Sequence, residues 1–280
     1  MYGIITYLRN KLFDCGIIKQ KSHSVKIISV GNIRVGGTGK TPFVEYLIKA
    51  LSPYFNLAIL SRGYGRKTKG FIHLQPHHTA SEVGDEPLLI YKRNPNTFVA
   101  VCEERNKGVE NILKISPKTN LIILDDAYQH RYINRDINIL LTEYNRPFFK
   151  DRVIPYGRLR EYRKGYKRAS YIVVTKCPPL NEKQKQDFVL KLKPLPHQKI
   201  FFSNIVYKPP YHIKNKEKQI NLSDYKVLLL TGIANNQHII EYLNSITQVV
   251  DTITFSDHHN FTEKDKDQIK NRYNKFSASN

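Results

Sequence analysis

Hydrophobic positions along the chain alternate between short continuous runs and stretches of helical periodicity. Val25 to Val30 (V-K-I-I-S-V), Leu57 to Ser61, Thr97 to Cys102, Leu121 to Leu124, Ile137 to Thr142 and Tyr171 to Thr175 are runs that predict strands. Between them, Phe43, Leu47, Ile48 and Leu51 recur at helical spacing after Pro42, which suits a first helical turn. Helical segments are also expected over Glu86 to Lys92 and Arg105 to Ile115. This alternation predicts an α/β fold with a doubly wound parallel sheet, whose functional loops lie at the carboxyl ends of the strands.

After Pro194-Leu195-Pro196 the texture changes. Ile200 to Tyr207 reads as a strand, K-P-P-Y-H and a lysine-rich stretch interrupt the chain, and a second strand-glycine-helix unit opens at Lys226 (K-V-L-L-L-T-G-I-A-N-N), with Gly232 in a tight turn. Val249 to Phe255 is expected to return beside Ile200 to Tyr207 as a two-stranded linker. The expected division is therefore residues 1–198, a phosphate-loop domain with an N-terminal amphipathic segment, and residues 199–280, linker strands with a smaller α/β domain.

At 280 residues and 40% hydrophobic composition the chain can bury a substantial core. No stretch of about 18 uncharged apolar residues offers a transmembrane helix. Cys15, Cys102 and Cys177 form no C-x-x-C, so neither a disulfide framework nor a zinc site is indicated, and a reducing cytoplasm is expected. Charge changes the picture more. Lys and Arg number 45 against 24 Asp and Glu, a net +21 that favours an anionic partner: nucleic acid, phosphorylated substrate or acidic membrane. One basic patch, Arg152 to Arg168, carries seven cations against Glu161 and three tyrosines, and reads either as a binding face or as a solvated helix face. The N-terminal segment Tyr2 to Ile18 mixes Ile4, Ile5, Leu8 and Leu12 with Arg9 and Lys11, as a helix in a membrane interface or one packed on the domain would.

The strongest chemical signal is V-G-N-I-R-V-G-G-T-G-K-T-P, from Val30 to Pro42. It follows a strand, turns through glycine and opens a helix, the arrangement that aims backbone N–H groups and a helix dipole at phosphates. Lys40 would reach the β/γ oxygens and Thr41 could ligate Mg²⁺. The strict G-x-x-x-x-G-K-[ST] pattern is missed, because Arg34 stands where its first glycine belongs, so the loop must turn on Gly31, Gly36 and Gly37.

Asp125 and Asp126 end an apolar strand, the form in which phosphate-loop enzymes hold Mg²⁺, although one of the two can instead cap the next helix. Asp85 and Glu86, in G-D-E-P, offer either a carboxylate base for a substrate hydroxyl or an ordinary helix start. Asp257-His258-His259 could orient or tune such a base, and no third ligand favours a metal there. Arg62 could pair with phosphate or form a surface ion pair. Thr175-Lys176-Cys177-Pro178 resembles a guanine-specificity motif but lacks its Asp at position 178, so GTP is not expected.

Taken in order, V-G-N-I-R-V-G-G-T-G-K-T-P, L-S-R-G-Y-G-R-K, G-D-E-P, L-D-D-A-Y-Q-H-R, P-Y-G-R-L-R-E, T-G-I-A-N and F-S-D-H-H-N-F-T closely resemble the tetraacyldisaccharide 4'-kinase family over nearly the whole chain. The resemblance implies ATP-dependent phosphorylation of the 4'-hydroxyl of tetraacyldisaccharide 1-phosphate, giving lipid IVA in lipid A biosynthesis. It implies ATP and Mg²⁺ as cofactors, with Arg34, Val35, Gly36, Gly37, Thr38, Gly39, Lys40 and Thr41 as the ATP loop. It also implies Asp85 as base supported by His258, Thr41, Glu86, Asp125 and Asp126 around Mg²⁺, and His130 completing D-D-x-x-Q-H. A monomer at the cytoplasmic face of the bacterial inner membrane is expected, peripheral on its anionic surface, with no nucleic acid bound.

Two departures bear on this. The chain starts at Met1-Tyr2-Gly3 where the family usually has a longer apolar segment, and it stops at Asn280 after one amphipathic helix, so the expectation is a short anchor or an internal start site, and either a fragment or a trimmed last domain. Two other readings stand beside the kinase. One is a nucleic-acid-binding ATPase, which the charge suits but which shows no RNP, zinc-finger or helix-turn-helix pattern. The other is a peripheral membrane protein with a degenerate phosphate loop.

Overall fold

The computed structural model describes residues 2–278 apart from 234–235, 257–258 and 260. The chain divides into two compact units, Met1–Ile205 and Val206–Asn280.

The first unit is built on eight strands: β1 (Lys26–Gly31), β2 (Leu57–Ser61), β3 (Ile72–His73), β4 (Phe98–Val101), β5 (Leu121–Leu124), β6 (Ile137–Glu143), β7 (Tyr171–Thr175) and β8 (Lys199–Phe202). They lie in the order β3-β4-β2-β5-β1-β6-β7-β8, parallel except for the short antiparallel β3 at one edge. The helices are α1 (Tyr2–Asp14), α2 (Lys40–Leu51), α3 (Ala80–Val83), α4 (Asp85–Arg93), α5 (Arg105–Ile115) and α6 (Glu182–Leu192).

The period of two along each strand sorts the core into two faces. Ile28, Val30, Leu57, Ile59, Val99, Val101, Leu121 and Ile123 pack with Val44 and Ile48 of α2 and Ile90 of α4. Their neighbours Ile27, Ala58, Leu60, Ala100, Ile122 and Leu124 pack with Val109 and Ile112 of α5, and Leu140, Ile172 and Val174 with Phe188 and Leu192 of α6. Both faces of the central strands are buried, which is why they read as continuous apolar runs rather than as an alternation.

α1 is inverted relative to an ordinary surface helix. Thr6 and Phe13 are buried, Arg9 and Asn10 face the domain, and Ile4, Ile5 and Leu8 are more than half exposed. Polar contacts hold it: Asn10 donates to Glu161 at 2.8 Å, Arg131 pairs with Asp14 at 2.8 Å and covers the Phe13 ring, and Arg9 donates to the Gln129 carbonyl at 3.3 Å.

In the second unit, β9 (Tyr211–His212) and β10 (Asn215–Gln219) form a hairpin, while β11 (Lys226–Thr231) and β12 (Gln248–Thr254) are paired in parallel. α7 (Gln237–Asn244) joins β11 to β12, and α8 (Glu263–Ala278) follows. Two expectations are corrected here. The strand at Ile200 does not pair with Val249 to Phe255: β8 extends the large sheet beside β7, and β12 returns to β11 because α7 supplies the crossover that a parallel pair requires. Lys199–Phe202 accordingly belongs to the first unit, and the two-stranded element after it is the β9–β10 hairpin.

One contact inside the first unit is set by the absence of a side chain. A Cβ on Gly31, at the end of β1, would come within 2.8 Å of the backbone nitrogen and the Cβ of Tyr128, in the turn that follows β5. Neither atom can move without the backbone. Gly31→Ala is therefore expected to destabilise the protein by about 1–3 kcal/mol, the range of core overpacking, seen as a lower urea midpoint with unchanged m-value. A midpoint equal to wild type would show that the two turns are not in fixed contact.

Candidate active site

The carboxyl ends of β1, β2, β4, β5, β6 and β7 place together six loops from distant parts of the sequence. In the phosphate loop, Gly36 (φ 110°) and Gly39 (φ 80°) adopt left-handed backbone, and Gly39 is the residue at which α2 begins. Thr38 is buried, and its hydroxyl accepts a 2.7 Å hydrogen bond from Asn32. Lys40, in the first turn of α2, reaches Asp126 at 3.6 Å, and Arg160 reaches the other oxygen of the same carboxylate at 3.2 Å. Two cations thus converge beside a helix N-terminus, a charge arrangement suited to a polyanion.

The Arg34 side chain does not join these cations: it is 11% exposed, and its guanidinium pairs with Asp151 at 2.8 Å and Glu143 at 3.2 Å. Val35 is tied through its N–H to the Arg158 carbonyl at 2.7 Å.

Asp125 and Asp126 have different surroundings. Asp125 is fully buried and accepts from Ser61 at 3.1 Å, whereas Asp126 is partly exposed and held at φ 44°. Burial, then the neighbouring Glu86 and Asp126, push the Asp125 carboxyl up to about 7, with Lys40 and Ser61 acting in the opposite direction. One oxygen of each aspartate is buried without a hydrogen-bond partner.

The loops after β2 and before α4 meet at a pair of glycines. A Cβ on Gly84 would lie 3.0 Å from the Tyr64 carbonyl, and one on Gly63 would lie 2.9 Å from the Val83 carbonyl. α4 therefore starts against the β2 loop. Glu86 in its first turn accepts from Thr41 at 3.3 Å, which joins the start of α4 to the start of α2. Asp85, the first residue of α4, is exposed.

Arg62 is exposed and lies close enough to Arg105 and His130 to oppose a positive charge on both. His130 packs its Nε2 within 3.2 Å of the Glu103 carbonyl and 3.4 Å of the Arg105 N–H. Burial, then Arg105, lower its pKa to about 4, so it is a neutral tie between the β4 and β5 loops at physiological pH. His258 lies outside the described residues. Its neighbour His259 is engaged with Asp265 at 3.1 Å and stacks on Phe255.

The oxygen donors Thr41, Glu86, Asp125 and Asp126 suit a hard cation, and the two orphaned aspartate oxygens leave acceptor capacity for one. Among the described residues no three His, Cys, Asp or Glu side chains form a metal cage. Mg²⁺ commonly takes one or two carboxylates and completes its shell with phosphates and water.

Several members of this site escape sequence reasoning. Arg105, Glu143 and Asp151 belong to no motif, and Ser61, Arg160 and Lys176 stand in motifs that gave them no role; their common signal is position at or after the carboxyl end of a predicted strand. Arg160 and Arg168 stand in the basic patch, but their side chains turn inward to Asp126 and Glu161, and the patch is a loop ending in a 3₁₀ turn over Arg163–Arg168 rather than a helix face. A cleft of about 890 Å³ lined by Phe55, His73, Tyr91 and Arg93 opens at the opposite, amino ends of the strands, away from every group above.

Comparison with known proteins supplies a separate line of information. The family model for Tetraacyldisaccharide-1-P 4'-kinase matches residues 1–278. The Tetraacyldisaccharide 4'-kinase of Bacteroides fragilis is 45% identical over 284 residues, 98% of this chain and 76% of that protein. That of Flavobacterium johnsoniae is 43% identical over 278 residues, 98% and 81% of the two chains. Among solved structures, the apo form of LpxK from Aquifex aeolicus in complex with ATP is 32% identical, with a TM-score of 0.74 over 93% of this chain and 81% of that one.

Asp125 gives the site a pH signature. Its folded pKa, about 7, lies above the value of an unfolded aspartate, so the protein binds the proton more tightly than the unfolded chain does. The resulting stabilisation is complete below pH about 4 and is lost as pH rises to about 7. Asp125→Asn, which keeps the shape, removes this titration. The unfolding free energy of wild type minus that of the variant, measured by urea titration in chelator, is expected to fall steadily across that window, and a constant difference would refute the assignment.

Proposed function

The chain belongs to the Tetraacyldisaccharide-1-P 4'-kinase family, and from that membership we propose how its residues carry out phosphoryl transfer. The protein is an ATP-dependent kinase of lipid A biosynthesis that phosphorylates the 4'-hydroxyl of the tetraacyldisaccharide 1-phosphate. The observation that carries the residue assignment is the Thr41–Glu86 hydrogen bond, which sets the G-D-E-P turn directly beside the phosphate loop.

In this reading the N–H groups of residues 36 to 41 and Lys40 bind the β- and γ-phosphates, and Arg160 neutralises charge that spreads over the transferred group. Thr41, Glu86, Asp125 and Asp126 would hold Mg²⁺, which when bound neutralises charge between the β- and γ-phosphates. Asp85 takes the proton of the acceptor hydroxyl as its oxygen bonds to the γ-phosphorus and the bond to the β–γ bridging oxygen breaks. Exposure at the first turn of α4 leaves Asp85 accessible to an acceptor arriving from solvent or from a lipid surface.

The acceptor is a lipid, and the reading extends to the membrane. No helix among the described residues is long and apolar enough to cross one. α1 instead displays Ile4, Ile5 and Leu8 outward while its polar face holds the domain, and Tyr7 meets Tyr162 of the basic loop at 5.7 Å. The helix that carries this stripe touches the loop that carries the exposed Lys164 and Lys167, and apolar and basic groups together suit reversible interfacial binding to anionic lipid at the cytoplasmic face of the inner membrane.

Asp85→Asn is expected to slow turnover by about 10²- to 10⁴-fold, the usual worth of a positioned base. ATP affinity should change little. If ATP binding falls in parallel, Asp85 serves the metal or nucleotide and not the hydroxyl. For the membrane, Ile4→Asp/Leu8→Asp and Lys164→Glu/Lys167→Glu should each reduce sedimentation with anionic vesicles, the latter by roughly 1 kcal/mol per cation at low salt and less at high salt. Equal binding by both variants and wild type to anionic and neutral vesicles would remove the interfacial reading.

A further inference from the structure

Arg34 occupies the position at which the strict phosphate-loop pattern has glycine, yet the loop closes, and the structure shows what holds it. Asp151 accepts from Arg34 Nε at 2.8 Å, Arg34 Nη1 pairs with Glu143 at 3.2 Å, and Glu143 pairs with Lys176 at 2.5 Å. Lys176 Nζ then donates to the carbonyl of Gly37 at 2.6 Å. One residue earlier, the Thr175 hydroxyl donates to the carbonyl of Thr38 at 3.0 Å.

These contacts have a directional consequence. In a trans peptide the N–H points opposite to the C=O. Drawing the Thr38 carbonyl toward β7 therefore turns the Gly39 N–H away from it, while the Gly37 carbonyl is fixed in a peptide whose other side, the Thr38 N–H, donates to the Gly36 carbonyl at 3.1 Å. The backbone of the loop is thus held by Thr175 and Lys176, side chains that belong to another segment.

Two further observations mark Lys176. Its backbone lies at φ 55°, a left-handed conformation that a non-glycine residue keeps only where its surroundings impose it. The charges also close on themselves: Arg34 and Lys176 are balanced by Glu143 and Asp151, and all four side chains are mostly buried. Such a group is stable without nucleotide and leaves Lys40 and Arg160 as the cations facing the phosphates.

We propose that Lys176 is a positioning residue for the nucleotide: seated on Glu143, it fixes the Gly37 carbonyl and so presets the phosphate loop. The inference rests on the phosphate-loop reading given above. Without Lys176 Nζ the Gly37 carbonyl is released, the loop is no longer held in one arrangement, and binding must order it.

The test is calorimetric titration of the nucleotide-free protein with ATP and Mg²⁺, alongside its melting temperature and the KM values for both substrates. Lys176→Met is expected to weaken ATP about 10- to 100-fold, the worth of a hydrogen bond to a charged group. KM for ATP should rise with it, while KM for the lipid acceptor stays unchanged; the melting temperature checks that the nucleotide-free variant is folded at the assay temperature. Glu143→Gln should act in the same direction, and the double variant should be no worse than Lys176→Met, since the two residues act as one unit. If Lys176→Met does not fold, Glu143→Gln decides. ATP affinity within about twofold of wild type in the folded single variants overturns the proposal. Lys40→Ala separates the two layers. ATP binding retained there overturns the loop assignment and this inference with it. Binding lost there but kept in the Lys176 and Glu143 variants overturns the inference alone.

Discussion

The site depends on the placement of β1 directly beside β5. Ile27 to Ser29 pair in parallel register with Ile122 to Leu124, so β1 runs two residues past the end of β5 and their loops leave the sheet side by side. Gly31 removes the one Cβ that would hold the loops apart. The chain leaves β1 for β2 on one side of β5 and later crosses from β5 to β6 over β1, so the order of strands reverses at this point. A crevice at such a reversal is where open α/β sheets bind ligands. Lys40 and Asp126 meet because of this pairing, although 86 residues separate them in sequence.

Once the strands are buried on both faces, polar chemistry is confined to their ends, and the remaining question is how its charges are held apart. Two separate clusters answer it. One, around Arg34, is closed, with each cation matched by a carboxylate. The other, around Asp125 and Asp126, is open: one oxygen of each aspartate accepts no hydrogen bond, and Asp125 is pushed toward protonation by burial and by Glu86. A closed cluster gives shape, and an open one gives affinity for a cation and the phosphates it accompanies.

Strand existence was legible because the apolar runs are long enough to cross the sheet and end in glycine or acid, as at Leu121-Ile122-Ile123-Leu124-Asp125-Asp126. Strand pairing was not. Periodicity states that Val249 to Phe255 is extended but not which neighbour it finds, and the crossover through Gln237–Asn244 settles that. The phosphate loop, the G-D-E-P turn and the paired aspartates were visible as local patterns, and the structure brings these three together. Arg34 was assigned to the nucleotide because it lies inside the motif, yet its side chain turns away to Glu143 and Asp151. Those two acids, like Lys176, have meaning only through a partner more than a hundred residues distant or on another strand, and no local spacing encodes that.

The inverted helix at the N-terminus shows how a surface feature is tied to this chemistry. A helix that packed by its apolar stripe would be held by dispersion and area alone, and would have little left to offer a lipid surface. α1 is held instead by directional contacts. Arg9 donates to the Gln129 carbonyl, Gln129 Nε2 donates to the Asn32 carbonyl at 2.6 Å, and Asn32 donates to Thr38 in the phosphate loop. Asn10 meanwhile shares Glu161 with Gln129 and Arg168. Hydrogen bonds fix angle and register in a way that apolar packing does not, so the exposed stripe of Ile4, Ile5 and Leu8 has a defined orientation relative to Lys40 and Asp85. In the reading proposed above, that fixed relation between the exposed stripe and the phosphate loop would govern which hydroxyl of the headgroup reaches Asp85.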